Sequence, residues 1–189
     1  MGAPATATTF MQPVVYDAAV EGVFLRGLVG QITPTLSARL RELGLDLHQK
    51  LRPTYPREQW TQFLEVTVAT LFPDRTREEG FRLLGEKAVN GIGYTRIGKA
   101  LVSLARLMGP RRAMLRLPQV FTSMNNYMRL DLEEVEPSHF RVHINDSYGH
   151  PAYAQGAMQA AMSLAAAKDL QVVILDSAPE ISLDVRWAP

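Results

Sequence analysis

The sequence predicts an α+β fold, a helical N-terminal half packed on a small antiparallel sheet, and three observations predict it. Apolar residues recur every three or four positions from Thr33 to Leu117, and the period drops to two beyond Asn125 and Asn126. At 189 residues, 47% hydrophobic and 21% charged, the chain should bury roughly 70% of its unfolded surface and needs no staple. It has no cysteine, which excludes disulfides, thiolate zinc sites, iron–sulfur clusters and cysteine nucleophiles. No apolar run approaches the roughly 18 to 20 residues that cross a bilayer, and the first residues lack the basic end and apolar stretch of a secretion signal. A soluble cytoplasmic protein is expected.

Residues 1–12 are small, polar and aperiodic and read as a flexible arm, leaving 13–189 as a single α+β domain. Val14, Val15 and Tyr16, then Val20, Val23, Phe24 and Leu25, predict one strand or a short bent pair bounded by Gly27 and Gly30. Thr33 before Pro34 marks a helix start, because proline at the first helical position gives up no hydrogen bond; Leu36, Leu40 and Leu43 lead to a cap at Gly44. Pro56 opens the next helix, with Trp60, Phe63, Leu64, Val68 and Leu71 on one face and Pro73 at its end. Thr76 and Glu79 have the spacing of a capping box, ahead of Phe81, Leu84, Ala88 and Ile92. Gly80, Gly85, Gly91, Gly93 and Gly98 interrupt this region. Each costs roughly 1 kcal/mol against alanine in a helix, so they predict a closely packed neighbour or a break near 90–93. Ile97, Leu101, Leu104 and Met108 run on to Gly109; Pro110 opens a short helix with Ala113, Met114 and Leu117, which Pro118 closes.

In the C-terminal third, Met128, Leu130 and Leu132 alternate with charged residues, as do Phe140, Val142 and Ile144 beyond a turn at 136–138. This is the pattern of an antiparallel hairpin with one wet face. A turn at 146–151, an alanine-rich helix over 152–168 lying closely on the sheet, and strands at 170–175 and 181–187 complete the prediction.

A formal net charge of +1 conceals segregation. Residues 88–130 hold seven basic side chains and no acid, whereas 131–189 hold three basic and nine acidic ones. The middle block creates a positive face, unless the acidic strands fold against it. Arg96, Lys99, Arg106, Arg111, Arg112 and Arg116 are the candidate surface for an acidic partner or an anion; at a pI near 8.1 a dedicated nucleic-acid domain is not expected. His139 and His143, four strand residues apart, span about 13 Å and cannot share one metal unaided. Both are expected to be exposed, and Asp146, Ser147 and His150 read as a turn. The run Gly91–Gly98 lacks the spacing and the Lys-Ser/Thr of a phosphate loop. No metal or cofactor is expected.

The blocks Val20–Leu28, Leu40–Asp46, Tyr55–Pro56, Leu71–Pro73, Gly109–Ala113 and Phe121–Tyr127 resemble a family of unknown function largely confined to myxobacteria, over about residues 14–187. That resemblance implies a bacterial cytoplasmic protein. More distantly, the order of elements is similar to four-vinyl-reductase-like ligand-sensing domains, haem-nitric-oxide-binding domains and the TRAPP-subunit fold. It implies an apolar cavity between helices and sheet, and a homodimer formed through helices. The chain departs from these in having no cysteine for zinc and no histidine on a core helix to hold haem.

The expected function is a non-enzymatic sensory or regulatory module that binds a small apolar ligand or a protein partner. Trp60, Phe63, Phe81, Met114, Phe121, Met128 and Phe140 are the candidate pocket residues. The alternative is a ligand-free homodimeric scaffold that uses the basic helical surface.

Overall fold

The computed structural model describes residues 12–94, 96–178 and 180–189; the side chains of Arg96 and Ile97 lie outside that description, as does the expected arm apart from Gln12. Val14–Tyr16 (β1) pairs antiparallel with Thr54–Pro56 (β2). The strand expected over Val20–Leu25 is helical instead: Asp17–Val20 (α1) runs straight into a π-helical segment, Glu21–Gly27. Tertiary packing overrides the β-branched composition here. A methyl group on Gly27 would lie 2.3 Å from the Lys87 carbonyl oxygen, and one on Gly91 2.0 Å from that of Gly22, so this segment must press its backbone onto a later helix.

Pro34–Glu42 (α2) starts where expected, with the Thr33 hydroxyl accepting from the Leu36 amide. Arg57–Leu71 (α3) follows, with Pro56 one residue before it rather than inside it. Arg77–Gly93 (α4) has the full capping box, Thr76 and Glu79 each satisfying the other's amide. Of the two readings of its glycines, close packing is the one realised. Methyl groups on Gly85 and on Gly156 would lie 2.1 Å from the Tyr153 carbonyl oxygen and 1.9 Å from that of Arg82, so α4 is gripped by glycine on both sides. The break falls only after Gly93, ahead of Arg96–Met108 (α5). Pro110–Met114 (α6) is short, and Pro118 does not close it: it lies in the first turn of a further helix, Leu117–Thr122 (α7). Proline stops one helix and starts another with equal ease, so its sequence position alone left the direction open.

The hairpin is Leu130–Glu136 (β3) and His139–Ile144 (β4), the crossing helix Pro151–Leu164 (α8), and the last strands Gln171–Asp176 (β5) and Ile181–Arg186 (β6). The four strands form one antiparallel sheet in the order β3-β4-β6-β5. Phe140, Val142, Ile144, Leu183 and Val185 are buried on one face, where they join a core shared with α3, α4, α8 and the π-helical segment. The architecture is the α+β arrangement that the change of period predicts. Among the described residues no helix is long and apolar enough to cross a membrane.

Candidate functional site

Where α4, α7 and α8 meet the π-helical segment, small side chains leave space. Ala19, Val23, Ala88, Ala154, Ala157 and Ala161 stand among Trp60, Phe121, Met128 and Tyr148 around an inner cavity of about 150 Å³. A wider outer cavity of about 580 Å³ lies between α5, α6, α7 and the ends of α4 and α8, lined by Leu101, Leu104, Met108 and Met162 among others. Val89, Ile92, Leu117, Val120 and Ala161 line both, so the two spaces adjoin.

The inner wall carries little polarity, and part of it is held in place. The Asn125 side-chain oxygen accepts from the Tyr127 and Met128 amides at 3.2 and 2.6 Å, and its nitrogen donates to the Phe121 carbonyl. Tyr148 has φ +58°, a conformation strained for a bulky residue, and its amide donates to Asp146 Oδ1 at 2.7 Å. Arg57 donates to both oxygens of that carboxylate, Nη2 to Oδ1 at 3.0 Å. The bond to Asp146 holds the Arg57 guanidinium even further above neutrality than usual. Burial pushes the Tyr148 and Tyr153 hydroxyls far up the scale, so both rings present neutral phenols. Trp60 is 1% exposed, and its indole N–H, beside the Tyr148 hydroxyl, has no hydrogen bond of good geometry.

Of the seven candidate pocket residues, Trp60, Phe121 and Met128 line the inner cavity. Phe63, Phe81, Met114 and Phe140 line neither cavity. They are core: Phe63 packs edge-on to Phe24 and Tyr55, Phe81 stacks on His150 with ring centroids 3.5 Å apart, Phe140 stacks on Trp187, and Met114 is fully buried. The alanines that shape the space were missed; the one signal was the alanine-rich stretch, read there as close contact with the sheet.

The basic surface is partly engaged. Arg111 donates to both oxygens of Glu134 on β3, and Arg106 to the Leu164 carbonyl at the end of α8. Lys99 and Arg112 are exposed, Arg116 lines the outer cavity and bonds Gln119, and the Arg96 side chain lies outside the description.

The histidines do not converge. His139 is not exposed: it is hydrogen-bonded to Asp184 at 2.7 Å on the outer face of the sheet. Burial alone would raise the Asp184 carboxyl, but His139 and Arg186 outweigh it and hold it below its ordinary range. His143 is 3.0 Å from the Ser182 hydroxyl and 4.0 Å from Glu133. That trio of carboxylate, imidazole and hydroxyl borders none of the described cavities. Asp146 pairs with Arg57 and His150 with Glu65, so these two turn residues do not pair with one another. Among the described residues no group of three or more histidine or carboxylate side chains is placed to hold a metal.

Comparison with known proteins places the fold. A family model described as protein of unknown function (DUF2378) matches residues 13–188. No curated protein matches the chain. Among solved structures, an H-NOX protein from S. oneidensis in the Fe(II)NO state superimposes with a TM-score of 0.64 at 11% identity, covering 92% of this chain and 99% of that one. Unliganded Fe(II) H-NOX from K. algicida gives 0.63 at 10% identity, covering 92% and 96%. An oxygen-binding H-NOX domain related to soluble guanylate cyclases gives 0.61 at 9% identity, covering 92% and 93%.

Proposed function

This chain belongs to that family of unknown function, and we propose that it is a non-enzymatic sensory or regulatory module whose interior binds a small apolar ligand. The observation that carries this reading is the pair of adjoining apolar cavities between the helices. Apolar space that the chain's own side chains do not fill forfeits packing contacts, and an apolar ligand supplies them. The outer cavity falls within the roughly 300–1,000 Å³ of ordinary small-molecule sites. Among the described residues neither wall supplies an acid, a base and a nucleophile together, which supports binding over bond-making.

The H-NOX structures are described by their Fe(II), NO and oxygen states and by haem distortion, which raises haem as a candidate occupant. The lining does not fit it. Haem iron is held by imidazole, thiolate, tyrosinate, or a thioether paired with histidine. The described residues lining both spaces include no histidine, the chain has no cysteine, and the inner-wall tyrosines are held neutral by burial. Methionine thioethers remain, without the imidazole that would complete a pair.

Native mass spectrometry of gently purified protein, followed by solvent extraction, tests the reading. A discrete extra mass recovered as an apolar molecule is expected, and titrated haemin should give no stoichiometric Soret band. Protein of bare mass that also fails to gain stability from any hydrophobic probe would overturn it.

A further inference from the structure

We propose that the two cavities take one molecule, an acyl chain with an anionic head group, its methyl end against Trp60 and its head at Arg116. This rests on the ligand-binding reading above and adds the ligand's chemistry and direction. The space is small inside and large outside, about 150 against 580 Å³, and the same aliphatic side chains, Val89, Leu117 and Val120 among them, border both, where the proposed chain would pass from one to the other. A slender chain end suits the inner space.

Charge decides which end goes in. No described residue lining the inner cavity is charged, and the Asn125 amide is already committed to three backbone groups. An anion placed there would lose its hydration without a cation to offset the cost. The burial that keeps the Tyr148 and Tyr153 hydroxyls protonated opposes a carboxylate in the same space. Among the described residues lining the outer cavity, Arg116 is the sole charged one; it is exposed, and its guanidinium donates to the neutral Gln119 side chain. It stands in a stretch, residues 88–130, that contains no acid. The outer wall is also incompletely covered: Leu101 and Leu104 line the cavity yet remain 41% and 49% exposed. An acyl chain would shield them while its head stays in water beside Arg116.

The test uses the two tryptophans. In a Trp187→Phe background, emission reports Trp60. Three probes of equal chain length are titrated into the full chain at low salt: a fatty acid brominated at its terminal carbons, one brominated beside the carboxyl, and the corresponding fatty alcohol. Terminal bromines should quench Trp60 several-fold more strongly than proximal ones. The acid should bind about ten-fold more tightly than the alcohol, a difference of about 1.4 kcal/mol. Arg116→Glu should bring the acid down to the alcohol's affinity and leave the alcohol unchanged, with an unaltered urea midpoint showing that the variant is folded. Equal binding of acid and alcohol, or stronger quenching by the proximal bromines, overturns the proposal while the apolar-ligand reading stands. If neither acid nor alcohol binds, the acyl-chain proposal falls, and the apolar-ligand reading falls with it only where the protein also has its bare mass and gains stability from no hydrophobic probe.

Discussion

Tyr148 shows how one side chain on the cavity wall is fixed. Its positive φ is unfavourable for an aromatic residue, and the Asp146 carboxylate, accepting from its amide while bound by Arg57, holds it there. Asp146→Ala removes the acceptor and leaves the half-buried guanidinium unpaired; about 1–3 kcal/mol of stability should be lost by urea unfolding, and Asp146→Asn, which keeps an acceptor, should cost less. His150 sets a pH dependence nearby. Burial lowers its pKa, with Arg77 adding to that and Glu65 opposing it. The folded state then binds its proton less readily than the unfolded state, so stability is full at neutral pH. It declines as the pH falls through about 6.5, the ordinary histidine value, towards the lower folded one. Melting temperatures at pH 7.5 and 5.5 should differ more for the native chain than for His150→Gln. Neither arrangement was legible in the sequence, where Asp146 and His150 read as neighbours in a turn: their partners, Arg57 and Glu65, come from α3, which only the fold brings near.

Among the elements, α4 is the axis of the helical half, and glycine decides what lies against it. Gly85 and Gly156 let α4 and α8 approach backbone to backbone, and Gly91, Gly22 and Gly27 do the same for the π-helical segment. Gly156→Ala or Gly85→Ala should therefore cost at least about 1–3 kcal/mol, the range of overpacked cores. Gly93→Ala is the control. A methyl there meets Val102 at 3.5 Å and Leu164 at 3.8 Å, which is ordinary contact, and should gain about 0.5–1 kcal/mol from helix propensity alone. Chemical denaturation of the three variants measures the contrast. The glycine spacing made this crowding legible in advance. The identity of the neighbour was not: strand composition at Val20–Leu25 pointed to a sheet, and the contacts that press this segment onto α4 join residues sixty or more positions apart. By contrast the hairpin was legible within a few residues, because a period of two fixes the buried face locally, and the last strands were legible from short apolar runs on either side of a turn.

For the molecule as a whole, the likeness to H-NOX structures at about a tenth sequence identity shows the fold alone, and one fold can carry different side chains in its interior. Here the interior has been given alanine where a full core would have larger residues, and empty space of this kind costs stability in the absence of a ligand. Ala161 lies on the wall common to both cavities, so it is where the cost and the proposed function meet. Ala161→Leu should add packing contacts in the free protein and raise its melting temperature by about 2–4 °C, the change that about 1 kcal/mol produces in a domain of this size. The same leucine should block the passage, so that any apolar probe that stabilises the native chain stabilises the variant several-fold less. A gain in stability with probe binding intact would mean that the two cavities act separately. A loss of stability would mean that the wall around residue 161 is already closely packed. Thermal melts of both proteins with and without probe distinguish these outcomes, because packing raises the baseline whereas ligand binding adds an increment that grows with probe concentration.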